Sequence, residues 1–180
     1  MRRLALLLLA IFALRPLAAG AEDNLELAVK ATYLVKFLPF VTWPASAFPA
    51  PDSPFILCVG GTDPFGALLD RAADGQSFSG HVLAVRRLED SAGGPACQMV
   101  YIAPGNAGAA RRSLDIARGR PVLTVTDAAE AGEPEGMLNF VMTEGKVRFT
   151  IDEDAARESG LDISSKLLRL AVSVRRGGAK

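Results

Sequence analysis

Two rhythms run through the apolar positions of this chain. Between Asn24 and Leu38, the residues Leu25, Ala28, Val29, Thr32, Tyr33, Lys36 and Phe37 recur close to helical spacing, which predicts an N-terminal helix with Tyr33 and Phe37 turned inward. Pro39 lacks an N–H and clashes with the preceding turn, so the helix ends or kinks there. Pro44, Pro49, Pro51 and Pro54 then mark an irregular connection.

The second rhythm is that of strands. "FILCVGG" is a short, wholly apolar run ending in glycines, as expected of a strand buried on both faces. Asp63 and Pro64 next offer an N-cap and an N1 proline, predicting a helix through about Ala73. "HVLAVRRL" and "QMVYIAP" read as strands, Ala107 to Arg118 as a helix, and "PVLTVTD" as a fourth strand. "GMLNFVM" and "KVRFTID" flank the turn "TEGK", an antiparallel hairpin whose second arm alternates Val147, Phe149 and Ile151 with Lys146, Arg148 and Thr150. Asp152 and Ser164 can cap two last helices, the final one through Leu167, Leu168 and Leu170. Strands alternating with helices predict an α/β fold: a single three-layer domain with a mixed, mostly parallel sheet, a C-terminal antiparallel hairpin and helices on both faces.

The first 21 residues stand outside that fold. Arg2 and Arg3, the apolar run Leu4 to Leu14 and the small residues Ala19, Gly20 and Ala21 read as a secretory signal, which predicts export and a mature start near Glu22. Roughly 160 residues remain, enough for one domain with a real core. We expect that domain over 22–174 and a flexible tail over 175–180. Without Arg2, Arg3 and Arg15 the charged residues run 17 basic to 20 acidic, a net charge of −3. So weakly acidic a chain has no electrostatic footprint for nucleic acid, and that partner class is set aside. In an oxidising compartment the two cysteines, Cys58 and Cys97, are expected to form a disulfide; the alternative is two buried thiols packed as small hydrophobes.

Candidate chemistry is sparse. "GGTDPFG" sits where a phosphate loop would, after a strand and before a helix, but its spacing fits neither common nucleotide fingerprint, and Asp63 would repel a phosphate. "GQSFSG" beside His81 suggests a nucleophilic serine, Ser77 or Ser79, yet Gly75, Ser77 and Gly80 are spaced one residue too wide for a nucleophile elbow. One histidine and two distant cysteines make no familiar metal cluster, and Cys-x-x-Cys is absent. The expectation is therefore a protein without catalytic residues, metal or cofactor, whose work is binding or regulation.

Three stretches carry a family likeness: "AVKATYLVKFLPFVTWP", "PFG" after the first strand, and "GMLNFVMTEGKVRFTIDEDAARESGLDISSKLLRLA". Together they resemble the YfiR family of periplasmic proteins, with "RRLEDSAGGPACQMVYI" and "PVLTVTD" in the family's order. The resemblance implies a periplasmic α/β regulator without catalysis. Its best-known member holds an inner-membrane diguanylate cyclase inactive by binding the cyclase's periplasmic domain, and an outer-membrane lipoprotein sequesters that inhibitor. Relatives also occur beside sensor kinases, which makes a small-ligand module feeding a kinase or receptor the alternative. A homodimer is a further partner to consider. The second cysteine pair of some relatives is missing, so control through paired disulfides is not carried over.

Apolar residues left over once the sheet is covered are the candidates for partner contact: Phe40, Trp43 and Pro44, with Leu167, Leu168 and Leu170 on the last helix. Arg148 and Lys166, on exposed faces, are the candidates for holding an anion or small ligand.

Overall fold

A computed structural model describes residues 19–88, 97–127 and 132–177. In chain order the elements are α1 (Ala19–Phe37), β1 (Val41–Thr42), β2 (Phe55–Gly60), α2 (Ala67–Ala73), β3 (Ser77–Phe78), β4 (His81–Leu88), β5 (Met99–Ile102), α3 (Ala107–Ala117), β6 (Leu123–Thr126), β7 (Leu138–Thr143), β8 (Lys146–Asp152), α4 (Glu153–Glu158), β9 (Asp162–Ile163), α5 (Ser165–Leu168) and β10 (Ser173–Arg175). The expected leader lies outside the described residues except for the backbone of 19–21, which opens α1.

Eight strands form one sheet in the order β10-β8-β7-β6-β5-β2-β4-β3. Strands β4, β2, β5, β6 and β7 are parallel neighbours, β7 and β8 form the expected antiparallel hairpin, and β3 caps β4 antiparallel. The α/β architecture is the one the pattern predicts. Strands β2, β5 and β6 are buried throughout, as apolar runs covered on both faces require.

Local chemistry sets the boundaries. Pro39 closes α1 into a short 3-10 turn, Leu38–Phe40. Asn106, Asp152 and Ser164 cap α3, α4 and α5, each side chain accepting from the backbone N–H three residues on. In the hairpin turn Glu144 and Gly145 both have positive φ, 52° and 68°, the geometry whose twist matches the flanking strands. Gly136 is required by proximity: a Cβ there would stand 2.8 Å from the Thr124 carbonyl oxygen.

The structure corrects four expectations. Asp63 does not cap α2; it accepts from the N–H of Phe65 in a tight turn, and the N-cap is Gly66 at φ 49°. The final helix stops at Leu168, short of Leu170. Arg175 is no tail residue but ends β10, which lies parallel to β8, and Arg176 donates to Glu153 at 2.6 Å; of the expected tail, 178–180 lie outside the described residues. Lastly, the inward face of α1 is wider than the expected pair: Phe37 is buried and the half-buried Tyr33 stacks on it, but other residues go deeper than Tyr33. Its buried residues are Lys30, Ala31, Leu34, Val35 and Phe37, whereas Leu25 is exposed and Val29 and Tyr33 are half-buried.

Two cores result, one on each face of the sheet. Under α1 and α2 the packing is large and aromatic: Tyr33 and Phe37 stack and meet Phe140 and Phe149, while Phe65 meets Tyr101 edge-on with ring centres 4.7 Å apart. Under α3 it is small: Ile56, Cys58, Cys97, Val100, Ile102, Ala110, Ala117 and Val122.

Candidate functional site

In an open parallel sheet, ligands are taken at the carboxyl ends of the strands where the strand order reverses. Here that point is β2, flanked by β4 and β5. Side chains of this chain fill it. Lys30, buried on α1, reaches Glu26 and Asp127, both at 2.5 Å, and the Tyr101 hydroxyl donates to Asp127 at 3.3 Å. Beside it, Arg87 grips both oxygens of Asp70 and donates to Asp63 and to the Gly66 carbonyl.

Burial pulls the Lys30 ammonium toward a lower pKa, but hydrogen bonds and charge from Asp127 and Glu26 outweigh it and hold the group above its ordinary 10.5. A lysine so held stays protonated near neutrality, so it serves as neither base nor nucleophile. Burial, then the Asp127 charge and hydrogen bond, push the Tyr101 phenol well above its usual range. An incoming phosphate would meet the carboxylates of Asp63, Asp127 and Glu26, and the cations beside them, Arg87 and Lys30, are already paired with those carboxylates. The arrangement is a structural ion cluster that fastens α1 to the end of β6.

The aromatic segment after α1 has a different fate from the one expected. Trp43 is only 8% exposed. Its Nε1 donates to the Gln98 carbonyl at 2.9 Å, and its ring meets Phe55 and Phe78 edge-on. An indole whose apolar body and polar tip are both satisfied inside is core, not docking surface. Leu167 and Leu168 are buried in the same cluster, so they too lie inside; Phe40 and Pro44 are half-buried and Leu170 is 64% exposed.

The two candidate stretches nevertheless meet. Val41 pairs with Ile163 and Thr42 with Asp162 in the small β1–β9 ladder, and the Ser164 N–H donates to the Phe40 carbonyl at 2.8 Å. Beyond α5, Leu170 and Val172 are exposed, and the Val172 N–H donates to the Phe149 carbonyl on β8 at 3.0 Å. Two-residue strands leave no periodic signal, which is why the sequence did not disclose the ladder.

Cys58 and Cys97 are bridged, with Cα atoms 5.9 Å apart, on the α3 face. His81 is held structurally, its Nδ1 2.6 Å from the Ser53 carbonyl oxygen and its ring stacked on Phe48. Among the described residues no group of His, Cys, Asp and Glu could hold a metal ion.

Openings also lie elsewhere among the described residues. A cleft of about 230 Å³ lies between α3, α4 and β10, lined by Arg118, Glu135, Asp152, Glu158 and Arg175. A larger groove of about 710 Å³ runs between α1 and the β7–β8 hairpin, and a hollow of about 310 Å³ lies along α1 past Ala28, Thr32 and Lys36. Arg148 lines the large groove and Lys166 is exposed on α5; neither lines the cleft, so the structure does not join them in one ligand site.

A family model, described as YfiR/HmsC-like, matches residues 27–172. The chain belongs to the YfiR/HmsC-like family. The match runs from the middle of α1 to just short of β10, so every feature of this YfiR-like domain described above, apart from the first residues of α1 and the last strand, falls inside it. No curated protein is matched by the sequence. The family is one of periplasmic regulatory proteins.

Proposed function

We propose that this protein is a periplasmic repressor that binds the extracytoplasmic domain of an inner-membrane diguanylate cyclase and holds the enzyme inactive, lowering cyclic di-GMP and surface attachment. The match over 27–172 carries the reading. A repressor of this kind works by linkage: it shifts the cyclase toward the inactive form only as far as it prefers that form. A preference of about 100-fold, or ~2.7 kcal/mol, gives strong repression.

The junction of β1, β9 and α5 is the partner face we favour. Phe40 and Pro44 are half-buried there, and Leu170, two residues past the end of α5, is exposed. Deleting the gene should raise cyclic di-GMP and attachment, and complementation should restore both. Leu170→Glu should fold normally yet fail to complement. Unchanged cyclic di-GMP on deletion, with the cyclase expressed, overturns the function; full complementation by the variant overturns only the face.

The cleft between α3, α4 and β10 supports a second reading, a small-ligand module feeding a sensor kinase or receptor. Its arginines and carboxylates surround space for a molecule of a few heavy atoms. A metabolite that raises the melting temperature of wild type but not of Arg118→Ala would favour it.

A further inference from the structure

The cleft between α3, α4 and β10 favours one sign of charge. Two guanidiniums line it, and each already has a carboxylate: Arg175 donates to Asp152 at 2.8 Å, and Arg118 lies 3.0 Å from Asp115. Glu158, on the same lining, is paired with no cation among the described residues. It also stands against the helix dipole. Glu158 ends α4, and the cleft lies at the carboxyl ends of both α3 and α4, where the partial charge is negative and a cation is favoured. A local rule broken without compensation inside the fold marks a group kept for something outside it.

A second, independent feature points the same way. Ser159 is only 4% exposed, yet its hydroxyl makes no hydrogen bond among the described residues. Among those residues no enclosed side-chain nitrogen or oxygen lacks a partner, so the Ser159 hydroxyl opens on the cleft that the residue lines. Such a hydroxyl oxygen accepts from an ammonium. Leu114 and Met137 add apolar wall, and the cleft's carboxylates do not converge as metal ligands, which points to an extended organic cation. We propose that this cleft takes a small alkylammonium compound, its ammonium held by Glu158 and Ser159 and its methylenes against Leu114 and Met137. The proposal rests on the reading of the cleft as a ligand site and adds the charge of the ligand; it is independent of the cyclase reading.

The test uses the purified chain, exported so that the Cys58–Cys97 bridge forms, and three probes of like length: 1,4-diaminobutane, 1,4-butanediol and succinate. Titration calorimetry at about 0.15 M salt, which screens exposed charge, should show diaminobutane binding about tenfold or more tightly than butanediol, and succinate not at all. Glu158→Gln, at an exposed site without a partner, should weaken diaminobutane about tenfold and leave the ligand-free melting temperature unchanged. Ser159→Ala should weaken it by a smaller factor. Arg118→Ala removes a wall and a like charge together, so Glu158→Gln is the deciding change. Equal binding of diaminobutane by wild type and Glu158→Gln overturns the proposal. Succinate that stabilises wild type but not Arg118→Ala overturns the cation and keeps the cleft as a ligand site. Silence from all three probes overturns the proposal, and the metabolite screen against Arg118→Ala then decides the cleft reading alone.

Discussion

The two faces of the sheet are stabilised by different means. The face under α1 and α2 is built from rings: Trp43, Phe55 and Phe78 in one cluster, Tyr33, Phe37, Phe140 and Phe149 in another. The face under α3 has no ring in its buried cluster and carries the Cys58–Cys97 bridge. Alanine and valine side chains bury little area each, so that face has less apolar transfer to offset the entropy of ordering it. A covalent link that restricts the unfolded chain supplies what small side chains cannot. Gln98 ties the faces together. Its side chain accepts from the Ile56 N–H and donates to the Ala47 carbonyl, and its own carbonyl accepts from Trp43, next to the bridged Cys97.

Removing the largest ring breaks the comparison most directly. Trp43→Ala should cost about 3–5 kcal/mol in urea unfolding, the range for emptying an aromatic core site. Trp43→Phe refills most of the volume, and the Gln98 carbonyl loses one donor but keeps the Leu123 N–H, so the cost should be smaller, about 0.5–1.5 kcal/mol. A Trp43→Ala chain as stable as wild type would show that the indole is not the core element its burial indicates.

On the other face, replacing both Cys58 and Cys97 by alanine should cost roughly 2–4 kcal/mol, from a bridge that spans 39 residues. The single tryptophan reports from the opposite side. If the faces hold independently, reduction lowers the denaturation midpoint without moving native Trp43 emission. A red shift in native buffer would mean that Gln98 transmits the loss and that the faces are one unit.

What the sequence disclosed follows the same division. Strand runs, helix caps and the hairpin were legible because their signals are local: Asn106, Asp152 and Ser164 act within three residues, and Glu144 with Gly145 makes the turn alone. Long-range pairings were not. Lys30 and Asp127 lie 97 residues apart, and neither local pattern requires the other. A signal did exist, since Lys30 interrupts the stripe later completed by Leu34 and Phe37, while Asp127 continues the inward parity of Leu123 and Val125. Trp43 was misread because an aromatic run between prolines looks alike whether it closes a core or edges a surface. Only the distant Gln98 carbonyl decides it.

The ion cluster sharpens the aromatic side further. Lys30→Met should cost about 1–3 kcal/mol, less than for a fully buried pair, because Asp127 and Glu26 keep some contact with water. The pH dependence has a definite sign. Lys30 and Tyr101 both have folded pKa values above their unfolded ones, so their contribution is complete below about pH 10 and is lost as pH rises beyond it. The urea midpoint of wild type should hold up to that pH and then fall. In a Lys30→Met, Tyr101→Phe chain the alkaline fall should be shallower, and an identical slope would mean that the cluster does not govern it.

The smallest effect tests whether α3 depends on its own cap or on the sheet beneath it. Asn106 Oδ1 accepts from the Ala109 N–H at 2.9 Å, and α3 rests on the sheet through small residues, Ala110 and Ala117 among them. With so little area buried per turn, the cap is a larger share of what orders the first turn than it would be under α1, where rings do the packing. Asn106→Ala should cost about 1 kcal/mol, and Asn106→Gly only a few tenths, since glycine is tolerated at that position. Hydrogen exchange locates the loss. Faster exchange confined to the first turn of α3, with β2 and β5 unchanged, means that the bridge holds the α3 face without the helix end; faster exchange through β5 would make α3 and the bridge a single cooperative unit.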